Sequence, residues 1–225
     1  PGGEQDRQRV VDALAQLGVE LIELHDVVAR QQRDVVGQRR PEPAVGQARD
    51  VDAAVHEAAD VAQQIGHARV ALARIARELV NTDGCEMLLD GASSQDAMAT
   101  LFNLDLQGDL RAAFVDARDR QAVAFARPGA EDIACHHPMR DMPASQFIWM
   151  RVRDTAVHTW DLARSIGADE RLDDDLMATI WSQVEPVAPL LAVSGMFGSG
   201  ASGELTDDAS MQARVLDALG RRPSV

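Results

Sequence analysis

Residues 151–170 read RVRDTAVHTWDLARSIGADE, and the reading of this stretch decides the fold. Its apolar residues recur at helical spacing. The run opens near residue 144 and meets Gly167, so the spacing predicts one helix over about 144–166 with glycine as its stop. That helix sets Asp154 and His158 one turn apart on a single face, with Trp160 and Asp161 following at once. A carboxylate and an imidazole so placed can reach one divalent cation, because both are good ligands for zinc and its neighbours. Helical bundles build metal sites in this way, from side chains that project inward from facing helices. The same spacing also suits a carboxylate–histidine hydrogen bond on a polar stripe, and Asp52 and His56 repeat it nearer the N-terminus.

Outward from this helix the pattern stays helical. Residues 10–30 carry Leu14, Leu17, Leu21, Leu24 and Val28 at helical spacing. A Pro/Gly/Arg-rich break follows over 37–49, and a second helical region runs over about 51–81, with Gly66 as an interruption and Gly84 in NTDGC as its C-terminal cap. Ser93 or Ser94 caps a short helix. A further helix around residues 108–127 places Leu110, Phe114, Ala117, Ala122 and Phe125 on one face and stops at Pro128-Gly129. Residues 131–143 read as an extended link or a short hairpin. A helix then starts near the acidic LDDDL, where carboxylates suit the N-terminal dipole, and runs to about Ser194. Pro186 and Pro189 should kink or shorten it, since each removes a backbone donor. A loop and a short last helix, MQARVLDALG, complete the chain. The class is all-α, and an antiparallel bundle with one long connection is the natural architecture.

Bulk properties narrow the partners. The 225 residues carry a formal net charge of −14, and all 22 basic residues are arginine. Phosphate backbones repel such a chain, so nucleic acid is not expected as a partner. No apolar run approaches the roughly 20 residues of a membrane span, and the opening residues have no apolar core of a signal peptide. Cytoplasmic residence is the expectation. The chain begins with Pro1, which reads as the start of a fragment or a processed product. No aromatic residue precedes Phe102, so the two ends of the chain look unlike each other.

Other motifs have plain alternatives. CHHP holds His136 and His137, but adjacent residues of an extended segment point apart, so at most one would enter a given site. Cys135 beside His136 has the composition of an activated thiol, and Cys85 stands alone; the two form no CxxC pair. GSGASG, residues 198–203, matches GxGxxG in letters, but a helix precedes it where a dinucleotide site needs a strand, so it reads as a loop.

Five stretches, in order, carry a resemblance: LLDGAS (88–93), HHPMRDMPASQ (136–146), RDTAVHTWDLARSIGADERLD (153–173), EPVAPLLAVSGMFGSGASG (185–203) and LDALGRRP (216–223). From about residue 86 onward the chain resembles the actinobacterial DinB-like proteins related to mycothiol-dependent maleylpyruvate isomerase. The resemblance spans a little over half the chain. It implies an antiparallel four-helix bundle and one zinc-like or nickel-like ion in the bundle core. It implies as ligands an acidic residue and a histidine at i, i+4 on a late helix, here Asp154 and His158, plus a histidine at the end of the second helix. The ion would favour the thiolate of a bound low-molecular-weight thiol such as mycothiol, which then attacks an electrophilic substrate, so the implied activity is that of a thiol-dependent isomerase or transferase.

The departures are specific. The family's acidic ligand is a glutamate and here is Asp154. Where the family has RDLVNH, this chain has RELVNT over residues 77–82, so Thr82 takes the third-ligand position, and a threonine hydroxyl is a poor zinc ligand. His25, His56 and His67 lie in the first predicted helices as substitutes. Residues 1–80 do not resemble the family and read as a divergent or aberrant helical segment that would supply the first two bundle helices, with 81–225 as the remainder. The competing expectation is a metal-free, non-catalytic bundle that binds a small molecule or serves as an interaction module. A small-molecule substrate or a thiol is the expected partner in the first case, and a homodimer is compatible with both.

Overall fold

The computed structural model describes residues 8, 12, 16–20, 22–24, 82–101, 109–138, 140–195, 197 and 200–223. These are mostly helical, in keeping with an all-α class, with one small two-stranded sheet. Helical residues 16–20, 22–24 and 82–89 come first. They are followed by α1 (Ser94–Leu101), α2 (Leu110–Ala126), β1 (Ala134–His137), β2 (Arg140–Pro143), α3 (Ala144–Ile166), α4 (Asp174–Val184), α5 (Ala188–Ser194) and α6 (Met211–Ala218). The expected helix over 51–81 and the Asp52–His56 pair lie outside the described residues. Within the expected helix over 10–30, Leu17 is fully buried and joins the core, and Gly18 lies against the side chain of Arg118 on α2.

Local signals set most helix ends. Ser93 caps α1 by accepting from the Asp96 N–H at 3.1 Å. Asp109 caps α2 by accepting from the Ala112 N–H at 3.0 Å, and α2 ends ahead of Pro128-Gly129. Asp173 caps α4 with a 2.8 Å bond from the Leu176 N–H. Helix α3 spans the predicted range and closes at Gly167, whose φ of 66° is the left-handed conformation that glycine adopts without a Cβ penalty. Pro186 and Pro189 divide the predicted 174–194 helix into α4, a 3-10 turn over Glu185–Val187, and α5.

Three expectations are corrected. Gly84 does not end a helix: residues 82–89 continue through it, Gly84 is buried, and the chain turns at Gly91 with φ 85°. The reason is tertiary, since Arg120 of α2 bonds both Asp83 and Glu86 and holds that turn helical. On α2, Gln121 and Ala124 rather than Ala122 share the buried face with Phe114, Ala117 and Phe125. The stretch Asp174–Ser194, 21 residues long, holds an 18-residue window with a mean hydropathy of 1.3, enough to cross a membrane by length and composition alone, where no apolar run near that length was expected.

The core forms where the helices meet. Helix α4 packs along α6 and against α3, while the hairpin and the 3-10 turn Ala130–Asp132 cover the start of α3. Val152, Met177, Ile180, Leu216 and Leu219 are essentially sealed from solvent, each contributing about 1.5–3 kcal/mol by burial. The hairpin pairs Cys135 with Met142 and His136 with Asp141. The period of two buries the first pair and exposes the second. Of GSGASG, residues 200–203 are described and form a loop, as expected. The Ser202 N–H donates to both carboxylate oxygens of the buried Asp217, at 3.1 and 3.0 Å, and a Cβ on Gly200 would come within 2.6 Å of the Ala192 Cβ.

Candidate functional site

Helix α3 carries two adjacent polar rows. Arg151, Thr155 and Thr159 recur every fourth residue and are all buried. Asp154 and His158 recur likewise beside them and are half-buried. Helical spacing therefore brings the predicted ligand pair to one face, as the sequence implied. The surroundings of that pair were not legible.

Asp154 lies between two guanidinium groups. Its Oδ2 is 3.9 Å from Arg151 Nη1 and its Oδ1 is 3.7 Å from Arg153 Nε, distances of charge proximity rather than hydrogen bonding. The Arg151 side chain is 5% exposed. Arg151 Nη2 donates to Thr155 Oγ1 at 3.2 Å and approaches Thr82 Oγ1 at 3.5 Å. Thr82 thus faces the Asp154 helix from the helical residues 82–89, where the resemblance has its third ligand, and it meets an arginine there. Arg153 also stacks over Phe197, with 5.5 Å from guanidinium carbon to ring centroid.

The hairpin adds His137, which sequence reasoning left open against His136. His137 tilts against Phe147 with ring centroids 5.7 Å apart. Burial lowers its proton affinity, the charges of Arg151 and Arg140 lower it further, and Asp154 opposes them. His136 instead bonds Asp141 across the hairpin at 3.0 Å on the exposed face. Cys135 points the other way, is fully buried, and has its thiol pushed up to about 11 by that burial, so it lacks the character of an activated nucleophile. Asp161 ties α3 to the C-terminal segment through a 2.9 Å pair with Arg221.

A zinc-like centre needs three protein ligands and an open position. Among the described residues no three His, Cys, Asp or Glu side chains are grouped to hold an ion. The described side chains around this place are Asp154 and His158 of α3, His137 of the hairpin, on which the Asp154 charge acts, and Thr82, with two arginines alongside. The substitutes His25, His56 and His67 lie outside the described residues.

Further along α3, a groove of about 530 Å³ opens between the helical residues Glu20, Glu23 and Leu24 and the turn after Gly167. Trp160 forms part of its wall and is 3% exposed, so it serves both the core and the groove. Gln212 of α6 fixes the turn, donating to the Glu170 carbonyl at 2.8 Å and accepting from the Leu172 N–H at 2.9 Å. Nothing local in the sequence marked this groove, because its walls come from distant segments.

No protein-family model, curated protein or solved structure matches the chain.

Proposed function

We propose that the chain is a metal-free, non-catalytic DinB-like helical bundle that binds a small molecule. In this reading the residues before 81 supply the first two helices of a four-helix antiparallel bundle, and residues 81–225 supply the rest. One observation supports it above others: the buried Arg151 guanidinium reaches both Thr82 and Asp154, two of the three positions where the resemblance has ligands. A fixed positive charge there opposes a cation. Like unit charges about 4 Å apart repel by about 4 kcal/mol at an effective dielectric constant of about 20, and a divalent ion doubles the charge. The groove beside Trp160 gives the small molecule a place on the same helix.

Elemental analysis of the purified protein, after dialysis against zinc and then buffer, tests this reading. Substoichiometric metal, no different in a His158→Ala variant, is the expected result. A full equivalent of divalent metal that is lost in His158→Ala would overturn it. It would return the chain to the metal-dependent, thiol-assisted isomerases or transferases, with mycothiol the first cofactor to assay.

A further inference from the structure

Two late stretches of sequence, GSGASG and LDALGRRP, meet at one buried carboxylate. Asp217 of α6 is 5% exposed and accepts the Ser202 N–H on both of its oxygens. Arg222 bridges the same two segments. Its Nη1 donates to Asp217 Oδ1 at 3.3 Å, and its Nη2 donates to the Gly200 carbonyl at 3.1 Å. The turn after α6 brings Arg222 back to this place. Gly220 takes a φ of 74°, and the Gly220 and Arg221 N–H groups donate to the Asp217 and Leu216 carbonyls at 2.9 and 2.8 Å. Arg221 goes elsewhere, to Asp161 of α3 at 2.9 Å, so the two adjacent arginines serve different segments.

The loop end of this clamp continues towards Asp154. Gly200 is buried against Ala192 of α5, and its N–H donates to the Phe197 carbonyl at 3.1 Å. Phe197 packs against the core and carries the Arg153 guanidinium 5.5 Å from its ring centroid. Arg153 Nε lies 3.7 Å from Asp154 Oδ1. A continuous series of contacts therefore leads from residue 222 to the Asp154 cluster. The Arg222 side chain is 46% exposed and that of Asp217 only 6%, so the clamp opens from its solvent side, by departure of the arginine. The buried carboxylate then loses its cationic partner, which favours the closed form.

We infer that Asp217 and Arg222 form a latch. Closed, it seats residues 200–202 on α5 and sets Phe197 over Arg153, so the C-terminal end of the chain governs where the Arg153 charge sits beside Asp154. Arg222 is a positioning residue that acts through Phe197. The latch goes beyond the metal-free reading and does not depend on it.

NMR of the full chain tests the inference, read on the Arg153 side-chain Nε–Hε signal, which is assigned by its loss in Arg153→Lys. The ring of Phe197 displaces that signal, and Phe197→Leu defines its place without the ring. The latch predicts that Arg222→Ala moves the signal most of the way to the Phe197→Leu position. It predicts that hydrogen exchange at the Ser202 amide speeds about tenfold or more, the loss expected for one charge-assisted hydrogen bond. Arg222→Lys, which keeps the charge, should return the signal towards its original place. Arg221→Ala, which cuts the tie to Asp161, should leave it there. An Arg153 signal unmoved in Arg222→Ala would overturn the latch. So would an equal displacement in Arg221→Ala, which would mean general loosening of the C-terminal turn.

Discussion

His137 shows how one side chain carries the site's electrostatics into stability. Its ordinary value of 6.5 is lowered in the folded protein, chiefly by burial, so below that pH the unfolded chain binds the extra proton. Stability therefore rises with pH there and is lost as pH falls through about 6.5 and below. Urea midpoints measured from pH 7.5 down to pH 5 should fall for the unaltered protein and fall less for His137→Gln; equal slopes would remove His137 from the account. The cysteines give a second check. Cys85 and Cys135 are fully buried thiols outside any disulfide, so a thiol reagent at pH 8 should find no fast-reacting thiol in the native protein and two in denaturant. Arg151 is the residue the sequence concealed. It stands three positions before Asp154 and looks like any surface arginine, yet its partner Thr82 is 69 residues away. No spacing rule reaches that far.

At the scale of elements, the late helices were legible because their ends carry local chemistry: Ser93, Asp109, Pro128, Gly167 and Asp173 act within a turn of themselves. Gly84 was misread for the opposite reason. A glycine can cap a helix or lie buried within one, and only the distant Arg120, bonded to Asp83 and Glu86, decides between them. The i, i+4 spacing of Asp154 and His158 is likewise a property of one helix, which spans Ala144–Ile166, whereas the setting of the two residues depends on three segments. The packing of α4 on α6 gives this scale its prediction. Leu216 is sealed from solvent in the core, so Leu216→Ala should destabilise the protein by about 2–5 kcal/mol through lost burial and a residual cavity. A chemical-denaturation shift well under 1 kcal/mol would mean that α6 is not part of the cooperative core.

The whole molecule carries a net charge of −14 and has two distinct places on α3: an arginine-filled cluster at Asp154 and a carboxylate-rimmed groove at Trp160. Composition already argued against nucleic acid, but it did not locate either place. The proposed metal-free reading holds that Thr82 and Arg151 together keep a divalent ion from Asp154 and His158. Zinc titration of the unaltered protein beside a Thr82→His/Arg151→Met variant tests it most directly. The account predicts no stoichiometric site in the unaltered chain and one in the double variant, because the substitutions supply a third ligand and remove the opposing charge. Tight one-to-one zinc binding by the unaltered chain, or none by a folded double variant, would contradict it.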